Sequence, residues 1–197
     1  MVELPLHEIR GVWATPLLPI DENFKAHIGA IPDQIEKLSE AGVNGVYSNG
    51  TAAELHGQST AMFREFSEKV ALKCIELGLP FQIGASHPFA HDTLERIAFA
   101  RELKPSAIQV ILPDWVPVKL DEAKRFIDGC VKAADGIGIV LYNPPHAKVV
   151  IEGKDLAQLL LETPGLLGVK CAGGGADWYK NMEVALEHKS VFIPGHH

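Results

Sequence analysis

Short apolar runs alternate with helix-period stretches along this chain, and that alternation constrains the fold more than any single residue does. The apolar runs are Gly11–Ala14, Gly45–Ser48, Phe81–Ala85, Ala107–Leu112, Gly138–Tyr142, Gly168–Lys170 and Val191–Ile193. Helical stretches lie between them, near 27–41, 59–77, 92–103, 121–134, 153–162 and 176–188. In the second, Phe63, Phe66, Val70, Cys74 and Leu77 recur at three- and four-residue steps, the stripe of a helix with one buried face. Asp92 and Glu95 have capping-box spacing and predict where the third helix starts. Glycine or proline (Gly42, Gly78-Leu79-Pro80, Pro105, Gly136, Pro164-Gly165) separates most helices from the next strand.

Strands spaced roughly thirty residues apart, each followed by a helix, build βαβ units and therefore a parallel sheet. A doubly wound sheet and a (β/α)₈ barrel both satisfy this pattern. A dinucleotide-binding doubly wound sheet would place a glycine fingerprint after its first strand. Here Thr15-Pro16-Leu17-Leu18-Pro19 stands there instead. The chemically distinctive residues are spread over many strand ends: Thr15, Ser48-Asn49-Gly50-Thr51, Ser86-His87, Asp114-Trp115, Tyr142-Asn143, Lys170 and Gly195-His196. Chemistry contributed by many strand ends is the mark of the α/β TIM barrel. Seven strands are one short of closure, and 197 residues fall below the usual length of about 250. The expectation is one barrel domain over 1–197, truncated after the seventh strand and incomplete at its C-terminus. His196-His197 reads as the loop after that strand rather than as the remnant of a tag.

Lys170 closes the apolar run Leu166-Leu167-Gly168-Val169 and precedes Cys171-Ala172-Gly173-Gly174. Burial disfavours an ammonium and lowers its pKa, and the neutral amine is a nucleophile that forms a Schiff base with a ketone. The plainer reading is a lysine that snorkels from a strand end into water. Tyr142 ends the strand before it, and Asn143-Pro144-Pro145 then holds the backbone extended. A phenol at that rim can relay protons to an attacking amine, or only pack. Gly50-Thr51 precedes Ala52-Ala53-Glu54; a hydroxyl with nearby amides suits a small carboxylate, or forms a simple turn. His87, Asp114 and Trp115 are further strand-end candidates, with packing as the alternative. Cys171 points the opposite way from Lys170 along its strand and reads as core.

Taken in order, Gly11-x-x-x-Thr15-Pro16, Asn49-Gly50-Thr51-Ala52-Ala53-Glu54, Tyr142-Asn143-Pro144-Pro145 and Gly168-Val169-Lys170-Cys171-Ala172-Gly173 resemble the dihydrodipicolinate synthase / N-acetylneuraminate lyase family of class I aldolase-type barrels. The resemblance implies a Schiff-base lyase, an aldolase or dehydratase acting on pyruvate, another 2-oxo acid or a 2-keto-3-deoxy sugar acid. It implies Lys170 as nucleophile, Tyr142 as proton carrier, and Gly50, Thr51 and Ala52 around the substrate carboxylate, with Trp115 as a further substrate-binding residue. It implies no metal or organic cofactor, and a homo-oligomer, a tetramer or dimer. Departures narrow the reaction. Ala52 and Ala53 replace a hydroxyl and a glycine of the family motif. His146-Ala147-Lys148 stands where the synthases carry an arginine, and Trp115 where they carry a tyrosine. These changes argue against 4-hydroxy-tetrahydrodipicolinate synthase, the alternative activity, and a non-catalytic 2-oxo-acid-binding barrel is a third reading.

Charge and cysteine content remove other classes. A net charge of −7 opposes nucleic acid and anionic membrane as partners. No apolar run approaches the roughly 18 residues of a membrane span, and Met1–Pro5 lacks a secretory leader's pattern. Cys74, Cys130 and Cys171 are widely spaced, which points to a reducing compartment, the cytoplasm. The histidines show no metal-ligand spacing.

Overall fold

A computed structural model describes residues 9–193. The expectations for Met1–Pro5, His7 and Gly195–His197 lie outside that range. Seven parallel strands follow one another in sequence order in a single sheet. They are β1 (Trp13–Ala14), β2 (Gly45–Ser48), β3 (Phe81–Gly84), β4 (Ala107–Val110), β5 (Ile139–Asn143), β6 (Leu166–Cys171) and β7 (Ser190–Phe192). Six helices connect them: α1 (Ile31–Glu40), α2 (Thr60–Leu77), α3 (Ala90–Glu102), α4 (Leu120–Ala134), α5 (Gly153–Glu162) and α6 (Ala176–Leu186). This is the expected α/β arrangement, seven consecutive strands of a (β/α) barrel forming an arc.

Strand alternation divides the side chains into two layers. Ile83, Ile108, Ile139, Leu141 and Val169 point outward and are buried under Phe63 and Phe66 of α2, Ile97 of α3, Ile127 of α4 and Leu156 and Leu160 of α5. Burying each such side chain contributes about 1.5–3 kcal/mol. The Phe63–Leu77 stripe read from the sequence is the α2 side of this layer. Cys74, Cys130 and Cys171 are all in it, unpaired, and burial pushes the thiols of Cys74 and Cys130 up to about 12. The inner face holds a second, smaller cluster: Ile9, Ala107, Val140 and Leu167, with Trp13 and Phe192 packed against it. The rings of Trp13 on β1 and Phe192 on β7 meet edge to face at 6.4 Å, so side chains of the two outer strands touch across the mouth of the arc.

Several boundaries differ from the sequence reading, each for a local reason. The strand expected to reach Leu112 stops at Val110, because the Ile111 amide donates to Ser86 Oγ instead of continuing the ladder. The strand expected from Gly11 starts at Trp13, because the Val12 amide is taken by Asn44 Oδ1. The predicted Asp92–Glu95 capping box is absent. α3 begins two residues earlier, at Ala90, and Asp92 lies inside its first turn. There its carboxylate favours the positive end of the helix and approaches His87 Nδ1 at 3.3 Å. The Thr93 hydroxyl donates to the His87 carbonyl and accepts from the His87 amide, which folds the chain over the helix start. α2 is capped as its sequence suggests, with Ser59 Oγ accepting from the Met62 amide and left-handed Gly78 ending the helix.

One irregularity positions the site. Ile139 pairs with Leu166, but Val140 pairs with Gly168, so β6 carries one extra residue, Leu167, against β5. Tyr142 then pairs with Lys170. Close approach elsewhere requires Gly84, where an added Cβ would lie 2.5 Å from the Asn49 carbonyl oxygen and 2.6 Å from that of Ser48. Gly84→Ala is expected to cost about 1–3 kcal/mol by overpacking against backbone. Urea denaturation checks this: the midpoint should fall while the slope with denaturant stays unchanged.

Candidate active site

The upper part of the inner face gathers residues from three strands. Lys170 (β6), Tyr142 (β5) and Tyr47 (β2) are each half-buried. Lys170 Nζ lies 3.9 Å from the centroid of the Tyr47 ring and 4.6 Å from that of Tyr142. The amine is therefore held between two aromatic faces. Burial lowers its pKa to about 8. At that value roughly a tenth of the amines are neutral at pH 7, against fewer than about one in a thousand for an ordinary lysine. The two rings act in the opposite sense, since their faces attract the ammonium. Burial dominates. The same burial, with the neighbouring Tyr142, raises the Tyr47 phenol, so Tyr47 stays neutral and supplies no counter-charge.

Thr51 comes from the loop after β2. Its Oγ1 lies 3.2 Å from the Tyr142 hydroxyl and 3.4 Å from His146 Nε2. The loop turns through a short 3-10 helix, Thr51–Ala53, whose first amides have no partner inside the turn. The conformational demand of this loop does not fall on Gly50. Gly50 is extended, and an added Cβ there would meet only the Tyr47 ring, at 3.8 Å. Two non-glycine residues flanking the turn are left-handed instead, Asn49 at φ 49° and Glu54 at φ 54°. Such backbone persists where the surroundings over-determine it. Here Asn49 Nδ2 donates to Ser67 Oγ, and Gln58 Nε2 donates to Asn49 Oδ1 and to the Ala53 carbonyl. Buried Arg96 in turn donates to the Gln58 and Ser86 carbonyls and lies over the Phe63 ring. A polar frame therefore fixes the turn from behind.

Of the residues singled out in the sequence, the structure joins Lys170, Tyr142 and Thr51 into one cluster, with Gly50 and Ala52 beside Thr51. Trp115 is not part of it. It stands 81% exposed after β4 and has no ring contact or hydrogen bond with Lys170, Tyr142 or Thr51. Asp114 instead grips the Lys148 amide, tying the loop after β4 to the loop after β5. His87 is occupied at the start of α3, where its Nδ1 accepts from the Phe89 amide. Cys171 faces the outer core, as its alternation with Lys170 requires. Sequence reasoning missed Tyr47 and His146. Tyr47 was legible in principle, since it shares a strand face with Gly45, the glycine on which Trp13 rests inside the arc. Two buried glutamines, Gln82 and Gln109, also sit on the inner face, and Gln82 Oε1 has no hydrogen-bond partner. Among the described residues, no group of three or more His, Cys, Asp or Glu side chains is arranged to hold a metal ion, and no helix is long and apolar enough to cross a membrane.

The site is thus a desolvated lysine amine held between two tyrosine rings on the inner face of a parallel (β/α) barrel arc. The comparisons with known proteins agree on its lineage. The chain belongs to the dihydrodipicolinate synthetase family, whose sequence profile matches residues 8–195. It is 23% identical over 186 residues to an N-acetylneuraminate lyase of Escherichia coli strain SMS-3-5, covering 94% of this chain and 61% of that protein. In fold it resembles the 4-hydroxy-tetrahydrodipicolinate synthase of Methylacidiphilum fumariolicum SolV, with a TM-score of 0.84 at 19% identity, covering 94% of this chain and 62% of that one. It also resembles a catalytic-lysine mutant of the Ruminococcus gnavus sialic acid aldolase, with a TM-score of 0.84 at 20% identity, covering 95% of this chain and 61% of that one. The chain thus spans about three-fifths of the length of these relatives.

The depressed pKa of Lys170 carries a stability signature. Between about pH 8 and the ordinary lysine value of about 10.4, the unfolded chain binds a proton that the folded chain does not, so this group makes stability rise with pH. Below about pH 8 both states are protonated and the full penalty of burying the ammonium applies. Lys170→Met should lack that rise, as read from the difference between wild-type and variant urea midpoints across the alkaline range.

Proposed function

We propose that this chain carries the Schiff-base site of a lyase, an aldolase or dehydratase of class I mechanism, acting on pyruvate or another 2-oxo acid. The observation that supports it is the placement of the Lys170 amine: desolvated, pressed between Tyr47 and Tyr142, and one hydroxyl away from Thr51. In this reading neutral Lys170 attacks the C2 ketone, and Tyr142 delivers and removes protons as the carbinolamine forms and loses water. Thr51 and the amides that follow Gly50 bind the carboxylate, with Gly50 and Ala52 forming the wall beside it. The resulting iminium withdraws electrons from C3, so a C3–H or C3–C4 bond can break. Neither a metal nor an organic cofactor has a role in these steps.

The nature of the second reactant follows from what the rim lacks. Ala147 offers no guanidinium, and Trp115 is largely exposed. Both weigh against the 4-hydroxy-tetrahydrodipicolinate synthase reaction and favour cleavage or dehydration of a hydroxylated 2-oxo acid, such as a 2-keto-3-deoxy sugar acid. A non-catalytic 2-oxo-acid-binding barrel has one observation in its favour, the missing hydroxyl at Ala52. It would retain 2-oxo acid binding in Lys170→Ala and show no turnover with Lys170 present. The three buried thiols fit a reducing cytoplasm, and family membership supports a homo-oligomer, a dimer or tetramer.

Borohydride reduction in the presence of pyruvate should add one reduced pyruvate unit at Lys170, located by peptide mass spectrometry. Lys170→Met should take up none, and an unmodified Lys170 in folded wild-type protein would refute the Schiff-base reading. Tyr142→Phe should still form the adduct, but about 10²–10⁴-fold more slowly, the range for losing a positioned proton-transfer group. Quenched time courses of the same reduction measure that rate.

A further inference from the structure

A buried cation lies behind the turn that follows β2, and its direct neighbours are all neutral. Arg96, on α3, is 5% exposed. Its Nη1 donates to the Ser86 carbonyl at 2.6 Å and its Nη2 to the Gln58 carbonyl at 2.7 Å. Its guanidinium carbon lies 4.8 Å from the centroid of the Phe63 ring. Asp92, one helical turn earlier, is partly exposed beside His87 and attracts Arg96 only through space. Burial outweighs that attraction and lowers the Arg96 pKa, so the charge is under-compensated.

The place of that charge is specific. Gln58, whose carbonyl Arg96 grips, is itself buried, and its Nε2 donates to the Ala53 carbonyl at 2.7 Å and to Asn49 Oδ1 at 3.1 Å. Asn49 and Ala53 bracket Gly50, Thr51 and Ala52, so one residue separates Arg96 from the segment assigned above to the ligand carboxylate. Neutral amides are sufficient to hold the turn, and Gln58 and Asn49 already do so. What a guanidinium adds is its charge. An ionised group taken out of water is costly unless an opposite charge comes to meet it. Across buried protein its attraction for an anion on the far side of the turn is screened much less than in water. A carboxylate held at Thr51 supplies that opposite charge.

We propose that Arg96 is the counter-charge for the substrate carboxylate, acting from behind the Thr51–Ala53 turn and through Gln58, so that the site selects 2-oxo acids over uncharged carbonyl compounds. The proposal rests on the Schiff-base reading of Lys170, with the carboxylate at Thr51. Arg96 is thus a positioning residue, which draws in the anion and leaves bond-making at C2 to the lysine. Its attraction is the same before and after attack on the ketone. Its effect therefore falls on binding and not on the rate of the bound complex.

The test is borohydride trapping at Lys170 with pyruvate and with its uncharged methyl ester, in wild type, Arg96→Gln and Arg96→Met. Wild type should reach half-maximal trapping at a pyruvate concentration ~10-fold or more below that needed of the ester. Both variants should raise the pyruvate concentration ~10-fold. They should leave the ester concentration and the maximal trapping rate within about two-fold of wild type. Arg96→Gln keeps an amide donor for the carbonyls, so it removes the charge without removing every hydrogen bond. Circular dichroism confirms that each variant is folded. An equal loss for both ligands overturns the counter-charge, since a purely structural arginine gives that result. Wild-type pyruvate affinity in a folded variant also overturns it. Wild type without a preference for pyruvate over the ester overturns it whether or not the variants fold. Absence of an adduct with either ligand in folded wild type removes the Schiff-base reading, and the counter-charge with it.

Discussion

The pairing of β5 with β6 slips by one residue, and the site depends on that slip. Strand side chains alternate between faces, so a one-residue change of register moves every later side chain to the other face. Continuing the Ile139–Leu166 register would set Val169 against Tyr142 and Lys170 against Asn143. Lys170 would then share the helix-facing side with Leu141 and Ile139, in an aliphatic layer. The extra residue Leu167 restores Lys170 to the inner face, opposite Tyr142. Two glycines make room for it. A Cβ at Gly138 would collide with the Leu167 side chain, and one at Gly168 would lie 2.1 Å from the Ser190 carbonyl oxygen.

The inner face is graded along the strands, and the grading sets the chemistry. Trp13, Val140 and Leu167 fill its lower part with apolar surface, and Phe192, level with Lys170 in the register, packs against that cluster. Tyr47, Tyr142 and Lys170 lie above them. Water is displaced from below by the apolar plug and from the sides by two rings, so the amine loses solvation without gaining a carboxylate partner. A carboxylate at ion-pair distance would have raised its pKa and kept it charged. Desolvation with only aromatic neighbours does the reverse, and the amine titrates near the pH at which it would have to react.

Much of this was legible in the sequence, and the failures have physical causes. Strand–helix alternation yielded the seven strands and six α-helices of the described residues, because most of the strands are hydrophobic runs set off from the preceding helix by glycine or proline. Lys170 and Tyr142 drew notice because each is a polar residue near the end of an apolar strand, and Thr51 because it lies in the loop just after one. Strand ends were missed where side chains intercept backbone groups, as Ser86 does at Ile111 and Asn44 at Val12. The capping box failed because Thr93 and His87 bond to each other and bring Ala90 and His91 into the helix. Trp115 stands exposed after β4, and a tryptophan after a strand gives no indication of which way its loop turns. Tyr47 and His146 escaped notice because their nearness to Lys170 and Thr51 is a relation between separate segments of the chain. No spacing within one segment records it.

The loop after β5 is fastened at both ends. Asn143 and Ile151 exchange two hydrogen bonds, with Nδ2 donating to the Ile151 carbonyl at 2.7 Å and Oδ1 accepting from its amide at 3.1 Å. Asp114 secures Lys148 from the neighbouring loop. The shape of the loop is therefore set by residues other than those at its tip. Positions 146 and 147 occupy a fixed mounting and can be exchanged with little effect on the frame beneath. Divergence within this lineage, or directed evolution of it, could alter the mouth of the site there one substitution at a time, leaving the lysine and its rings in place.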